Sequence, residues 1–312
     1  MKILVATDGS EHAANALDFT LRFPFPRDSN ISVMTVAGDI PMLPEELDAL
    51  DEAQREQLDQ ANRTLLEDAE QLVQRESARL QADGWPGSAV VRSGDAVDEI
   101  LAVAGQLDVD LIVLGSHGAG LAERFLLGSV SDSVLEHANC SVLIVKKQEQ
   151  DAGAAAAEPG SNAPSKILLA YDQSDLSNEV LDLCASLPLE PSSHIDVVNV
   201  MPLITAYRQD VRQHINQIWQ QKRQIMQQEL EQAVAAKKWA TTNVKTELRE
   251  AENVSDEILD AAEQAGSDLI MLGCKDRGAI KNLLLGSSTR RVARYAACSV
   301  WAVRKKVPES HV

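Results

Sequence analysis

One stretch of the sequence occurs twice, at a constant spacing of 158 residues. Residues 97–116 (VDEILAVAGQLDVDLIVLGS) return as residues 255–274 (SDEILDAAEQAGSDLIMLGC), and residues 137–146 return as residues 295–304. The opening KILVATDGS also returns, as KILLAYDQS at residues 166–174. An ungapped repeat of this length indicates that a whole folding unit was duplicated. The 312 residues therefore predict two similar domains in tandem.

The stretch between the two copies differs in composition from both. Residues 148–165, QEQDAGAAAAEPGSNAPS, are rich in Ala, Gly, Ser and Pro and show no apolar periodicity. That composition is typical of a flexible linker. We predict one domain at residues 1–147, a linker at residues 148–164 and a second domain at residues 165–306.

Each half alternates short apolar runs with helical patterns. Several of the runs are apolar throughout, which indicates strands buried on both faces, as in a parallel sheet between helices. The predicted class is α/β, with two tandem doubly wound domains of five strands each. In the first half the predicted strands are 3–6, 31–37, 89–91, 111–114 and 142–145.

Two long helical segments, residues 45–82 and 206–238, leave a coiled coil as an alternative, although both are short and irregular for one. A single apolar face is expected on the first of them. It consists of Leu58, Ala61, Leu65, Ala69 and Leu72.

Composition restricts the partners and the compartment. The net charge of −18 would repel a phosphate backbone, which argues against nucleic-acid binding. The four cysteines form no CxxC pair, so we expect buried thiols in a reducing compartment. No apolar run approaches membrane-spanning length, and MKILVATDGS does not read as a signal peptide. We expect a cytoplasmic protein without nucleic-acid or membrane partners.

A glycine-rich loop, GSHGAGLAERFLLGSVS at residues 115–131, follows the fourth predicted strand. Ligands of open parallel sheets bind at the carboxyl ends of the strands, where this loop begins. Gly115 and Gly118 carry no side chains, so backbone amides can approach an anion there. The loop is neither a Walker A sequence nor a dinucleotide-binding fingerprint.

The end of the loop predicts the start of a helix at Ser129–His137, after Gly128. The first N–H groups of a helix are unpaired and its dipole favours negative charge. Ser129 and Ser131 add hydroxyl donors. These features are compatible with a phosphate-binding site, but an ordinary strand-to-helix turn accounts for them equally well.

The spacing Gly115-x2-Gly118-x9-Gly128-Ser129 resembles the ATP-binding signature of the universal stress protein family. The segments ILVATDGS, GDAVDEI (94–100), DLIVLGSHG (110–118) and CSVLIVK (140–146) share the resemblance. It implies five parallel strands in the order 3-2-1-4-5 in each half. It also implies edge-to-edge pairing of the last strands, 141–146 and 299–304, which would form an intramolecular pseudo-dimer.

The resemblance further implies a nucleotide site in the first domain. Asp8 would contact the adenosine, and Val36 would offer backbone groups to the adenine. Four residues at the start of the loop would line the ribose and phosphates: Leu114, Gly115, His117 and Gly118. Residues 128–131 would hold the phosphates. For Asp8 a turn residue is the alternative, and for His117 a solvent-facing loop side chain. The full set is Asp8, Val36, Leu114, Gly115, His117, Gly118, Gly128, Ser129, Val130 and Ser131.

The second copy departs from the signature, because Asp276 stands where the first has Gly118. Asp276 adds a side chain and a negative charge near the expected phosphates. Like charges about 4 Å apart cost roughly 1 kcal/mol in water and about 4 kcal/mol at an effective dielectric of 20. Gln173 and Glu252 replace two further glycines. We therefore expect a degenerate second site, unless the flanking Lys275 and Arg277 neutralise Asp276.

The sequence thus predicts an ATP-binding stress-response regulatory protein, with the nucleotide in the first domain, with or without Mg²⁺. No catalytic or metal-ligating residue is assigned. A slow ATPase is one alternative, for which His117 and Arg124 are the nearest candidates. A scaffold that acts through oligomers and binds no nucleotide is the other. A homodimer and the protein partner are left open.

Overall fold

The computed structural model describes residues 1–38, 40, 43–117, 127–147, 164–203, 209–274 and 286–305. Within these residues ten strands form one sheet, and helices cover both of its faces. The predicted class, two tandem doubly wound α/β units, is confirmed. Most of the predicted linker, from residue 148 to 163, lies outside the described residues.

The elements of the two halves follow the same order. The first half contains β1 (Lys2–Ala6), α1 (Glu11–Arg22), β2 (Asn30–Ala37), α2 (Pro44–Ala49), α3 (Glu52–Ala82), β3 (Ala89–Ser93), α4 (Ala96–Gln106), β4 (Leu111–Gly115), α5 (Ser129–His137) and β5 (Ser141–Val145). The second contains β6 (Lys166–Ala170), α6 (Asp175–Ser186), β7 (His194–Pro202), α7 (Gln209–Ala235), β8 (Asn243–Ala251), α8 (Val254–Ala265), β9 (Leu269–Gly273), α9 (Ser287–Tyr295) and β10 (Ser299–Val303).

The strands run in the order β3-β2-β1-β4-β5-β10-β9-β6-β7-β8. Each half keeps the parallel order 3-2-1-4-5, but the two sheets are continuous through β5 and β10, which pair antiparallel with Leu143 opposite Trp301. An apolar edge strand exposes unpaired backbone groups. Pairing the two edges within one chain covers both.

The core lies in two layers, one on each face of the sheet. Trp301 of β10 is fully buried and contacts Phe23 and Phe25 of the first half, with ring centroids 5.6 and 6.1 Å apart. The layer therefore continues from one half to the other. Fully burying such rings contributes on the order of 2 to 3 kcal/mol each.

The segment predicted as one long helix is divided into α2 and α3. Asp51 caps α3 by accepting from the Gln54 N–H at 2.8 Å, while the Gln54 side chain accepts from the Asp51 N–H at 3.0 Å. This capping box fixes the break. Because α3 packs against β2 and β3, it forms no coiled coil with α7 in the described structure.

The predicted apolar face of this helix was partly wrong. Leu65 is 41% exposed, and only Ala69 of the five predicted residues is buried. The buried positions lie in the C-terminal half of α3, which covers the sheet. They are Ala69, Val73, Glu76, Ser77 and Leu80.

The four cysteines are free and buried, as predicted. Burial raises the pKa of Cys184 to about 12, and it does the same for Cys298. Among the residues that the structure describes, no helix is both long enough and apolar enough to cross a membrane.

Candidate functional site

A cavity of about 300 Å³ opens at the carboxyl ends of β1, β2 and β4. Nine of the ten residues predicted for the site line it: Asp8, Val36, Leu114, Gly115, His117, Gly128, Ser129, Val130 and Ser131. The tenth, Gly118, lies outside the described residues. Residues far apart in the sequence thus meet at the edge of the sheet where parallel α/β folds bind ligands.

Seven further residues line the cavity that sequence reasoning did not single out: Ala6, Thr7, Ala13, Met34, Thr35, Ala96 and Ile100. Met34, Ile100 and Leu114 give the cavity an apolar lining, and Asp8, His117 and Ser129 add polar groups to it. An apolar cavity with a few converging polar groups is the usual form of a small-molecule site. Ala96 and Ile100 could have been found from the segment GDAVDEI, which was already among the segments that carry the family resemblance.

The start of α5 forms one side of the rim. The N-cap, Gly128, provides no side-chain hydrogen bond, and its own N–H donates to the Ser116 carbonyl at 2.8 Å. The next N–H groups, beginning with Ser129, have no partner within the helix because they precede its first full turn. They lie where the helix dipole favours an anion.

Gly115 and Ser131 have a structural role that differs from the expected one. A Cβ at Gly115 would lie 2.6 Å from both the carbonyl carbon and the oxygen of His12, so the glycine permits close packing of α1 on β4. The Ser131 hydroxyl donates to the Gly115 carbonyl at 2.8 Å. That hydroxyl therefore ties α5 to β4.

Asp8 makes the turn contact that the sequence had left as its alternative role. Its Oδ1 accepts from the N–H of Ser10, the N-cap of α1, at 3.0 Å. Asp172 makes the same contact with Ser174 at 3.1 Å in the second half. Since both halves contain it, this contact belongs to the turn chemistry of the repeat.

His117 is buried, so the alternative of a solvent-facing side chain is wrong. The residue is 6% exposed, and its Nδ1 lies 3.2 Å from the Ser116 hydroxyl, which also contacts His12. Burial, followed by the charges of His12 and Lys146, holds the pKa of His117 below its ordinary value. Its Nε2 is buried at the cavity and has no hydrogen-bond partner among the residues that the structure describes.

An unpaired buried polar nitrogen costs about 1 to 3 kcal/mol. A ligand that hydrogen-bonds to His117 Nε2 would offset that cost. Among the described residues, no three His, Cys, Asp or Glu side chains are grouped to hold a metal ion.

The second half keeps the backbone frame of this site. Thr289 donates to the Gly273 carbonyl at 3.2 Å, as Ser131 does to Gly115. Gln173 has a φ of 65°, close to the 76° of Gly9, although left-handed backbone favours glycine. The expected departure at Asp276, with Lys275 and Arg277, falls outside the described residues.

Comparison with known proteins matches both halves. The profile of the universal stress protein family matches residues 1–146 and 164–304. A universal stress protein of Methanothermobacter thermautotrophicus is 33% identical over 147 residues, which are 46% of this chain and 94% of that protein. Universal stress protein YxiE of Bacillus subtilis is 27% identical over 145 residues, 46% of this chain and 98% of its own length.

A solved structure supports the fold over the whole chain. The crystal structure of a universal stress protein from Archaeoglobus fulgidus aligns with a TM-score of 0.61 and 19% identity, covering 97% of this chain and 98% of that one. The two segments matched by the family profile together span nearly the whole chain. The chain therefore belongs to the universal stress protein family and carries the family's domain twice.

Proposed function

We propose that this chain is a cytoplasmic regulatory protein that binds ATP in the cavity of its first half. The observation that carries the proposal is the position of the cavity. The cavity has an apolar lining at the carboxyl ends of the strands, and it borders the start of α5, where no side chain caps the helix. A flat base needs the first feature and a phosphate chain needs the second.

The lining residues suggest how the nucleotide would lie. The adenine would pack between Met34 and Ile100 beside the Val36 backbone, and the ribose would approach Asp8. The phosphates would meet the N–H groups from Ser129 onwards, with or without Mg²⁺. His117 Nε2 would gain a hydrogen-bond partner, which none of the described residues provides.

We propose that the second half binds ATP far more weakly. Asp276 places a side chain and a negative charge at the position of Gly118. The second half would then serve mainly as the structural partner of the first.

Isothermal titration calorimetry of the full chain with ATP, with and without Mg²⁺, tests the proposal. We expect one site per chain. Ala96→Trp should fill the cavity and abolish binding, because Ala96 lines it and is half-buried. Val254, the residue equivalent to Ala96, provides the matched control: Val254→Trp should leave the affinity unchanged.

Binding that survives Ala96→Trp would reject the assigned cavity, and two equal sites per chain would reject the degenerate second half. No binding of ATP would favour the scaffold alternative. Release of inorganic phosphate from bound ATP, measured in the same preparation, would instead favour the slow ATPase.

A further inference from the structure

The helices α5 and α9 lie side by side across the junction of the halves and exchange charged contacts. Arg290 Nη2 is 2.5 Å from Asp132 Oδ2, and Arg290 Nη1 is 3.0 Å from Glu136 Oε2. Arg294 Nη2 is 2.7 Å from the same oxygen of Asp132. We call Asp132, Glu136, Arg290 and Arg294 the α5–α9 quartet.

A second set of contacts joins the same helices but involves backbone acceptors. The Lys146 ammonium donates to the carbonyls of Arg294 and Ala296 at the end of α9, at 3.1 and 2.6 Å. Arg304 donates to the Leu135 carbonyl at the end of α5, at 2.6 Å. Each half thus places a cation at the negative end of the other half's helix.

These backbone contacts do not distinguish one half from the other. Lys146 and Arg304 are equivalent positions in the repeat, 158 residues apart, and both are cations. Two copies of the first half, or two of the second, could make the same exchange. The strand pairing is equally unselective, because its hydrogen bonds involve the backbone and the hydroxyls of Ser141 and Ser299, which are equivalent positions of the repeat.

The quartet does distinguish them. Asp132 is equivalent to Arg290, and Glu136 to Arg294, at the same spacing of 158 residues. The charge is therefore reversed at both equivalent positions. Two first halves paired in this way would bring four carboxylates together, and two second halves would bring four guanidinium groups together. Like charges juxtaposed at an interface suppress the wrong partner.

The quartet is shielded enough for its charges to matter. The side chains of Asp132 and Glu136 are 13% and 23% exposed, and those of Arg290 and Arg294 are 35% and 40% exposed. Fully exposed ion pairs contribute little, whereas a partly buried group that loses its partner is strongly destabilising.

We propose that the α5–α9 quartet makes the pairing surface specific for the opposite half of the chain and excludes pairing between like halves. The first half presents an acidic face, and its partner is the basic face of the second half.

Charge reversal in the full chain tests this, because it reproduces each excluded pairing within one molecule. The variant D132R/E136R places four cations at the junction, as two second halves would. The variant R290D/R294E places four anions there, as two first halves would. The variant with all four changes restores opposite charges in exchanged positions. E67R/E70R, on the exposed face of α3, matches the charge change of D132R/E136R away from the junction.

The readout is the midpoint of thermal unfolding at low and high salt. We expect D132R/E136R and R290D/R294E each to lower the midpoint by several degrees more than E67R/E70R, with a smaller loss at high salt. The fourfold variant should regain most of the loss. If instead its loss equals the sum of the two separate losses, the charges do not select the partner and the proposal is overturned. A loss no larger than that of E67R/E70R would overturn it as well.

Discussion

The replacement Gly115→Ala tests the packing of the site at the position where it is tightest. The added Cβ would lie 2.6 Å from the carbonyl carbon and oxygen of His12 and 3.0 Å from the Ala13 nitrogen. All three are backbone atoms of α1, so no side-chain rotation relieves the contact. Reaching an ordinary separation of 3.4 Å needs α1 to move by about 0.8 Å.

Overpacking of this kind costs about 1 to 3 kcal/mol. At about 2 to 4 °C per kcal/mol, the unfolding midpoint should fall by roughly 2 to 12 °C. ATP affinity should fall too, because α1 carries Ala13 at the cavity and follows the turn at Asp8. Differential scanning calorimetry measures the first effect and titration calorimetry the second.

The repeat supplies a matched control in Gly273→Ala. There the new Cβ would lie 2.9 Å from Cγ and 3.0 Å from Cδ2 of Leu176, a half-buried side chain that can change rotamer. We expect a loss below about 1 kcal/mol. Equal losses at the two glycines, or a larger loss at Gly273, would refute the reasoning from backbone contact.

Three further predictions concern protonation and backbone conformation. Burial lowers the pKa of Lys146 from 10.5 to about 8, so unfolding takes up a proton between these values. The stability of the native chain relative to Lys146→Met should therefore rise with pH across that window, by at most about 3 kcal/mol, in urea titrations. The pKa of His117 is also lowered, mainly by burial, so the unfolded chain takes up a proton there before the folded chain does. The native chain should therefore lose stability relative to His117→Gln as the pH falls through about 6.5. Parallel curves of unfolding free energy against pH for the two proteins would contradict this. Gln173 has a left-handed φ of 65°, and Gln173→Gly should raise stability by about 1 kcal/mol, whereas Gly9→Ala should lower it; a change of the same sign in both variants would argue against backbone strain.

The repeat and the apolar strands were sufficient to predict the class of the fold, because both are local patterns of the sequence. The bounds of α5 agree with those expected, since Gly128 and Ser129 provide a local start signal. The face of α3 could not be predicted in this way. Whether Leu65 is covered depends on how far the helix extends beyond the sheet, which is a tertiary property.

The residues that line the cavity could be predicted where the glycine signature provided a motif. The roles of residues that depend on tertiary packing could be predicted less well. The spacing of Gly115 suggested approach to an anion, whereas the contact with His12 shows that the glycine is needed for helix packing. For His117 the sequence left two alternatives, a residue that lines the nucleotide site or a side chain that faces solvent. It could not decide between them, because the burial of a loop residue produces no periodic pattern. The role of Asp132 could be recognised only from its contact with Arg290 of α9. The reversal of charge between these two equivalent positions is nevertheless visible in the sequence.

The nine residues of α5 belong to two surfaces at once. The N-terminal turn borders the cavity, and Asp132, in that same turn, contacts the arginines of α9. A ligand in the cavity would therefore act on the same short helix as the second half does. Thermodynamic linkage would make the coupling reciprocal. If pairing of the two halves changes the affinity for a nucleotide by some factor, the bound nucleotide changes the equilibrium constant for pairing by the same factor. The second half, which lacks an intact glycine signature, would then act as an effector of the first half. It would be an effector that is covalently attached and therefore always present.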